Sequence, residues 1–294
     1  MQTAMPIADT RRPWLMTAVP LVAGLLLMYT PTVLELWRTI WQSEEQGHGP
    51  LILAVSLWLF WQKREEFAAV AQDGGRTALG WVVLAFGLLL YVFGRSQDII
   101  LFEVGSQIPL LAGACAVLFG WRAVRVVAFP ILFLVFMAPL PAAIIDSMTG
   151  PLKRSVSVVA EVVLYELGYP IARSGVVLQI GQYQLLVADA CSGLNSMFSL
   201  SAVGLLYLYL MGHASRWRNA LIVLSILPIA FVANALRVMI LVLVTYHFGD
   251  EAGQGFIHGT AGMVLFVIAL ALLFAFDSVL GLFDRRGGQR KGAA

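Results

Sequence analysis

Three residues in the last third of the chain carry side chains suited to acyl transfer. Cys191 lies in Asp189-Ala190-Cys191-Ser192-Gly193, Arg237 closes Asn234-Ala235-Leu236-Arg237, and His258 opens His258-Gly259-Thr260-Ala261-Gly262. A thiolate can attack a peptide carbonyl and form a thioester. Its reactivity follows the thiolate population, which a neighbouring cation raises. His258 is suited to take the thiol proton and pass it to the leaving amine. Arg237 is suited to hold the thiolate or the oxyanion of the tetrahedral intermediate. Gly193 and the N–H groups that open the following helix add an anion-binding position. Asp189, Asn195 and Asn234 are candidates to orient the reacting groups, and Ser192 belongs to the same supporting set. A thioester has two exits: water gives a protease, and an amine or hydroxyl gives a transpeptidase or transferase.

Taken singly, each residue has a structural reading. A lone cysteine is usually a small buried hydrophobe, an arginine near a helix end snorkels to headgroups, and a histidine at a helix start bonds locally. Taken together the structural reading weakens, because ionisable groups within membrane segments are costly and usually functional. The second cysteine, Cys115, lies inside an apolar run and reads as buried filling. The two cysteines make neither a disulfide framework nor a metal site, and no residue pattern calls for a cofactor.

The elements that must position these residues follow from composition. The 294 residues are 60% hydrophobic and 12% charged, with a mean hydropathy of +0.83. A soluble domain carries about 25% charged residues. Apolar runs this long and numerous need lipid as solvent, and their lack of alternation argues against a β-barrel. The net charge of +2 is spread between apolar runs, which argues against a nucleic-acid partner. We read eight spans: 14–31, 48–62, 78–94, 106–120, 123–141, 194–212, 219–244 and 256–277. Arg11 and Arg12 precede the first, which reads as a span and not as a cleaved signal. With both termini cytoplasmic, thirteen of the nineteen Lys and Arg residues fall inside. All three candidate residues then fall near the outer surface.

The expected fold is therefore an all-α polytopic transmembrane bundle of about eight spans. Between spans five and six, residues 142–193 form a periplasmic cap. Its apolar positions Ile144, Ile145, Met148, Leu152, Val156, Val159, Val163 and Leu167 predict an amphipathic helix. Residues 174–187 predict a short β-hairpin. Residues 1–294 read as a single integral membrane domain, and 285–294 as a flexible basic cytoplasmic tail.

Ala190-Cys191-Ser192-Gly193-Leu194, Asn234-Ala235-Leu236-Arg237 and His258-Gly259-Thr260-Ala261-Gly262, in this order, resemble the exosortase/archaeosortase family of membrane cysteine transpeptidase-like enzymes. Cys191, Arg237 and His258 take the places of that family's nucleophilic cysteine, arginine and histidine. The resemblance implies a multi-pass enzyme of the bacterial inner membrane whose site faces the periplasm. It implies substrates of the PEP-CTERM type, with a Pro-Glu-Pro motif, one transmembrane helix and a basic cytoplasmic end. These would be cleaved near the motif and passed to an envelope polysaccharide or lipid-linked acceptor. Among bacterial subfamilies the chain is most similar to the B type, without the extra C-terminal domain of some members. The rival classes are a membrane transporter and a polysaccharide-assembly scaffold with a non-catalytic cysteine. The first five spans carry few ionisable residues and no inverted repeat is visible, which weighs against transport.

Overall fold

The computed structural model describes residues 13–42, 47–71, 77–139, 142–186, 193–212, 215–259 and 261–291. They fall into two compact units, Met1–Leu140 and Pro141–Ala294. The first contains α1 (Pro13–Arg38), α2 (Gly49–Gln62), α3 (Arg64–Val70), α4 (Ala78–Ser96), α5 (Ile100–Gly105), α6 (Gln107–Val126) and α7 (Ala128–Phe133), followed by a 3₁₀ turn at Leu134–Met137. The second contains α8 (Ala142–Glu166), strands β1 (Ile171–Ser174), β2 (Val177–Ile180) and β3 (Tyr183–Leu186), and then α9 (Gly193–Met211), α10 (Arg216–Phe248), α11 (Asp250–Gly259) and α12 (Ala261–Lys291).

The structure corrects the count of eight spans. Among the described residues, four helical stretches are long and apolar enough to cross a membrane: Val19–Arg38, Ala78–Ser96, Ile100–Val126 and Arg216–Phe248. The other apolar stretches, Gly49–Gln62, Ala128–Met137, Phe198–Met211 within α9 and Phe266–Leu282 within α12, have 10–17 residues each. Hydropathy measures apolar length, whereas spanning requires unbroken helix of about 20 residues. Gly49–Gln62, with 14 residues, rises only about 21 Å. The run expected at 123–141 is divided between the end of α6, the six residues of α7 and the 3₁₀ turn. Gly120, at φ 80°, already bends the chain before it.

Close backbone approach organises the first unit. Gly80, Gly87 and Gly94 recur every seven residues on the buried face of α4. A Cβ at Gly87 would fall 2.7 Å from the Leu110 backbone nitrogen, and one at Gly94 would fall 2.5 Å from that of Glu103. From the other side, a Cβ at Gly113 would fall 2.4 Å from the Leu84 nitrogen. Small residues supply helix contact where lipid removes any hydrophobic preference between helices. One polar cluster crosses this packing. Buried Glu103 accepts from the Thr32 hydroxyl and pairs with Arg95 at 3.3 Å, and Arg95 also pairs with Glu35 at 2.8 Å.

In the second unit, α8 buries Val156, Ala160 and Leu164 at intervals of four. The buried face thus runs through 160 and 164. Val163 and Leu167, expected on it, are exposed. The predicted hairpin is the second half of a three-stranded antiparallel meander, β1-β2-β3. Ser174 pairs with Val177 and Ile180 with Tyr183. Each pair closes a two-residue loop that begins with a positive-φ glycine, Gly175 or Gly181, as type II′ hairpins require. Val187 lies outside the described residues. The buried side chains of α8 and the meander share one core with Ala235, Val238, Leu241 and Val242 of α10.

Candidate functional site

Arg237 is the candidate residue whose side chain the structure describes most fully. It lies two-thirds of the way along α10 and is only 5% exposed. Ile226, Ala230, Ala233 and Arg237 follow one another at intervals of four, three and four, so they form one stripe of the helix. The lower part of that stripe faces α9 and α12. Gly204 abuts Ile226, and Leu200 and Ala269 pack in one cluster with Ala230 and Ala233. The opposite side of α10 carries Ala235, Val238 and Val242 against α8 and the meander. Arg237 therefore continues the face that α9 and α12 cover, and the core shared with α8 and the meander adjoins it at the same height.

The helix registers bring two other parts of the motif set to this height. α9 and α10 run antiparallel, with Gly204 beside Ile226. Eleven residues lead from Gly204 back to Gly193, and eleven lead from Ile226 up to Arg237. Both climbs are about 16 Å, so α9 opens at the level of Arg237. Its first N–H groups have no partner within the helix, and its dipole favours an anion there. Asn195 lies in this first turn. Asp189, Cys191 and Ser192 lie outside the described residues, immediately ahead of it.

α11 folds back along the end of α10. The chain reverses at Gly249, at φ 91°, and a Cβ at Gly253 would fall 2.3 Å from the Thr245 hydroxyl. Five residues beyond Gly253 is His258, in the last turn of α11, and five residues below Thr245 is Ile240. The His258 backbone thus lies within about one helical turn of the Arg237 level. Asn234, 1% exposed, lies one turn below Arg237 on α10. The gathered set is the opening of α9, the buried cation of α10 and the histidine-bearing end of α11.

The far end of the same helices carries a second charged cluster that the motif reading did not single out. Arg218 pairs with Asp277 at 2.7 Å, and its Nε donates to the same carboxylate at 2.8 Å. The Tyr207 hydroxyl donates to the other carboxylate oxygen at 2.6 Å. Asp277 is 6% exposed. The available signal was one acid ending an apolar run, with two arginines opening the run before it. In the first unit, Glu103 is another buried acid that was passed over. Among the described residues no cluster of His, Cys, Asp and Glu could hold a metal ion.

These features define a multi-pass membrane protein in which a buried cation, a helix opening and a histidine-bearing turn share one level. The profile described as Transmembrane exosortase (Exosortase_EpsH) matches residues 37–275, most of the chain. The chain belongs to the transmembrane exosortase family. No curated protein and no solved structure matches it.

Proposed function

We propose that this exosortase is a membrane cysteine protease or transpeptidase that cleaves the C-terminal sorting signal of exported proteins. Family membership over residues 37–275 carries this reading. The shared level of Gly193, Arg237 and the His258 backbone supports it. In the proposed reaction the Cys191 thiol loses its proton to His258, and the thiolate adds to the scissile carbonyl. Arg237 and the N–H groups opening α9 offset the negative charge of the tetrahedral adduct. His258 returns the proton to the departing amine, the C–N bond breaks, and a thioester remains. Water then releases an acid. Alternatively, an amine or hydroxyl of an envelope polysaccharide or lipid-linked acceptor takes the acyl group. The substrates are of the PEP-CTERM type, and the subfamily is the B type.

Charge at the two ends of α10 supports an outward-facing site. Arg216 and Arg218 flank its first turn, and the tail from Arg285 to Lys291 continues past Asp277 on that side. Asp250 and Glu251 follow its other end. The excess of Lys and Arg marks the cytoplasmic side. Arg237, nearer the acidic end, is then in the outward half, with the α8 platform beside it, and the membrane is the bacterial inner membrane.

The test is co-expression with a membrane protein ending in Pro-Glu-Pro, one transmembrane helix and a basic tail. Wild type should shorten it, as read by a mobility shift. Cys191→Ala at equal membrane abundance should leave it intact. Shortening by Cys191→Ala would remove the nucleophile from the proposal. A substrate untouched by either protein would favour the transporter or scaffold reading.

A further inference from the structure

Among the described residues, strand β3 has β2 on one side and no strand on the other. Tyr183 closes a two-residue loop with Ile180, and Leu185 stands opposite Leu178. Opposed residues of an antiparallel pair alternate between exchanging hydrogen bonds and turning their N–H and C=O groups away. The two residues that close such a loop bond to each other, so Tyr183 and Leu185 bond to β2. The backbone groups of Gln184 and Leu186 therefore point to the open edge. Among the described residues, no backbone hydrogen bond from outside the meander reaches either of them. Both are exposed, whereas Leu185 is buried in the core shared with α8 and α10.

An open edge is a template for a further strand, and charge, proline or a bulge usually guards it. Tyr183-Gln184-Leu185-Leu186 has no charge and no proline, and its pairing with β2 runs without a bulge. The strand also leads to the site. It starts beside the Phe248 end of α10, where Gly181 faces the Tyr246 ring and the Tyr183 hydroxyl lies near Gly249. Seven residues after Leu186 the chain has reached Gly193, at the level of Arg237. Cys191 is five residues after Leu186, a reach of at most about 18 Å. A peptide extended along β3 is thus directed toward the nucleophile.

The Pro-Glu-Pro spacing suits a strand paired on one side only. Proline cannot donate to a ladder and is tolerated where its nitrogen faces away from the partner strand. Residues two apart turn their backbone groups the same way. With both prolines turned away from β3, the glutamate between them presents its N–H and C=O to the edge. The residue before each proline is already held extended, so less ordering is left to binding.

We propose, on the sorting-signal protease reading of the site, that the substrate adds to β3 as a fourth strand. The glutamate of Pro-Glu-Pro pairs through its backbone with the edge groups of Gln184 and Leu186.

The test uses purified full-length Cys191→Ala, which keeps the edge, and a synthetic segment containing Pro-Glu-Pro. Hydrogen exchange resolved to single amides should slow at Gln184 and Leu186 when the segment is added. It should change little at Tyr183 and Leu185, which β2 already protects. Methylating the glutamate nitrogen of the segment removes one edge hydrogen bond and should weaken binding about tenfold. Gln184→Pro removes an edge N–H without touching a bond to β2 and should weaken binding to a similar extent. Gln184→Ala keeps that N–H and should bind as before. Equal affinity for the methylated and unmethylated segments would overturn the proposal. So would free exchange at Gln184 and Leu186 with the segment present, even where wild type shortens the full substrate. Protection of both amides without any shortening by wild type would keep the docking and remove the protease.

Discussion

The two ends of the α9–α10–α12 packing treat buried charge differently. At one end Arg218, Asp277 and Tyr207 satisfy one another at 2.6–2.8 Å, and three helices are tied by a single carboxylate. At the other end Arg237 is buried at the level where α9 begins and α11 ends. The first arrangement fixes helices. The second places a cation at the level of a helix opening, where in the proposed reaction it would offset the charge of the tetrahedral adduct. Burial alone therefore does not distinguish a structural charge from a functional one. What the neighbouring helices offer at that level does.

This contrast is most sharply broken by Cys191→Ala. Processing should fall by at least about a thousandfold while the melting temperature of the membrane-extracted protein stays near wild type. Next, Asp277→Ala should cost about 3 kcal/mol of stability, because it leaves the Arg218 charge without its carboxylate. Thermal unfolding should register that loss, and processing per folded molecule should be kept. Arg237→Lys should do the reverse. It retains the charge but loses the planar donor fork, so processing should fall about a hundredfold with little change in melting. If Asp277→Ala abolishes processing in fully folded protein, the division of roles between the two ends is wrong. The smallest effect is expected for Gly204→Ala. Its new Cβ would meet the Ile226 side chain at 2.8 Å, and that flexible group can move aside at a cost of about 1 kcal/mol.

Membrane character, the long helices and the order of the motif residues were all legible in the sequence. Leu200, Ala230 and Ala233 pack in one cluster and set the register of α9 against α10. Once α9 and α10 run antiparallel, equal rise per residue carries Gly193 to Arg237. Less was legible where hydropathy stands in for helix length. The runs at 48–62 and 123–141 are apolar enough to suggest spans, yet one is too short and the other is broken into separate turns. The α8 face was misread near its end because Val163 and Leu164 are both apolar, and only the meander decides which is buried. β1 was missed because Ile171-Ala172-Arg173-Ser174 is too short to alternate convincingly. Its Arg173 pairs with Glu161 of α8 at 2.9 Å and donates to the Gly175 carbonyl at 2.9 Å. Glu103 and Asp277 were passed over because a lone acid beside an apolar run does not name its partner.

The nineteen residues from Arg218 to Arg237 amount to about 28 Å of helix, close to the roughly 30 Å hydrocarbon thickness of a bilayer. α10 is therefore a gauge. On the proposed topology, Arg218 stands at one boundary and Arg237 at the other, and the rest of the helix continues beside α8 and the meander. A thicker membrane would draw the cation below the boundary unless the helix straightened or the bilayer thinned around it, each at a fraction of a kcal/mol per Å. Lipid composition would then set how far the site stands out of the membrane, without any molecule binding to it.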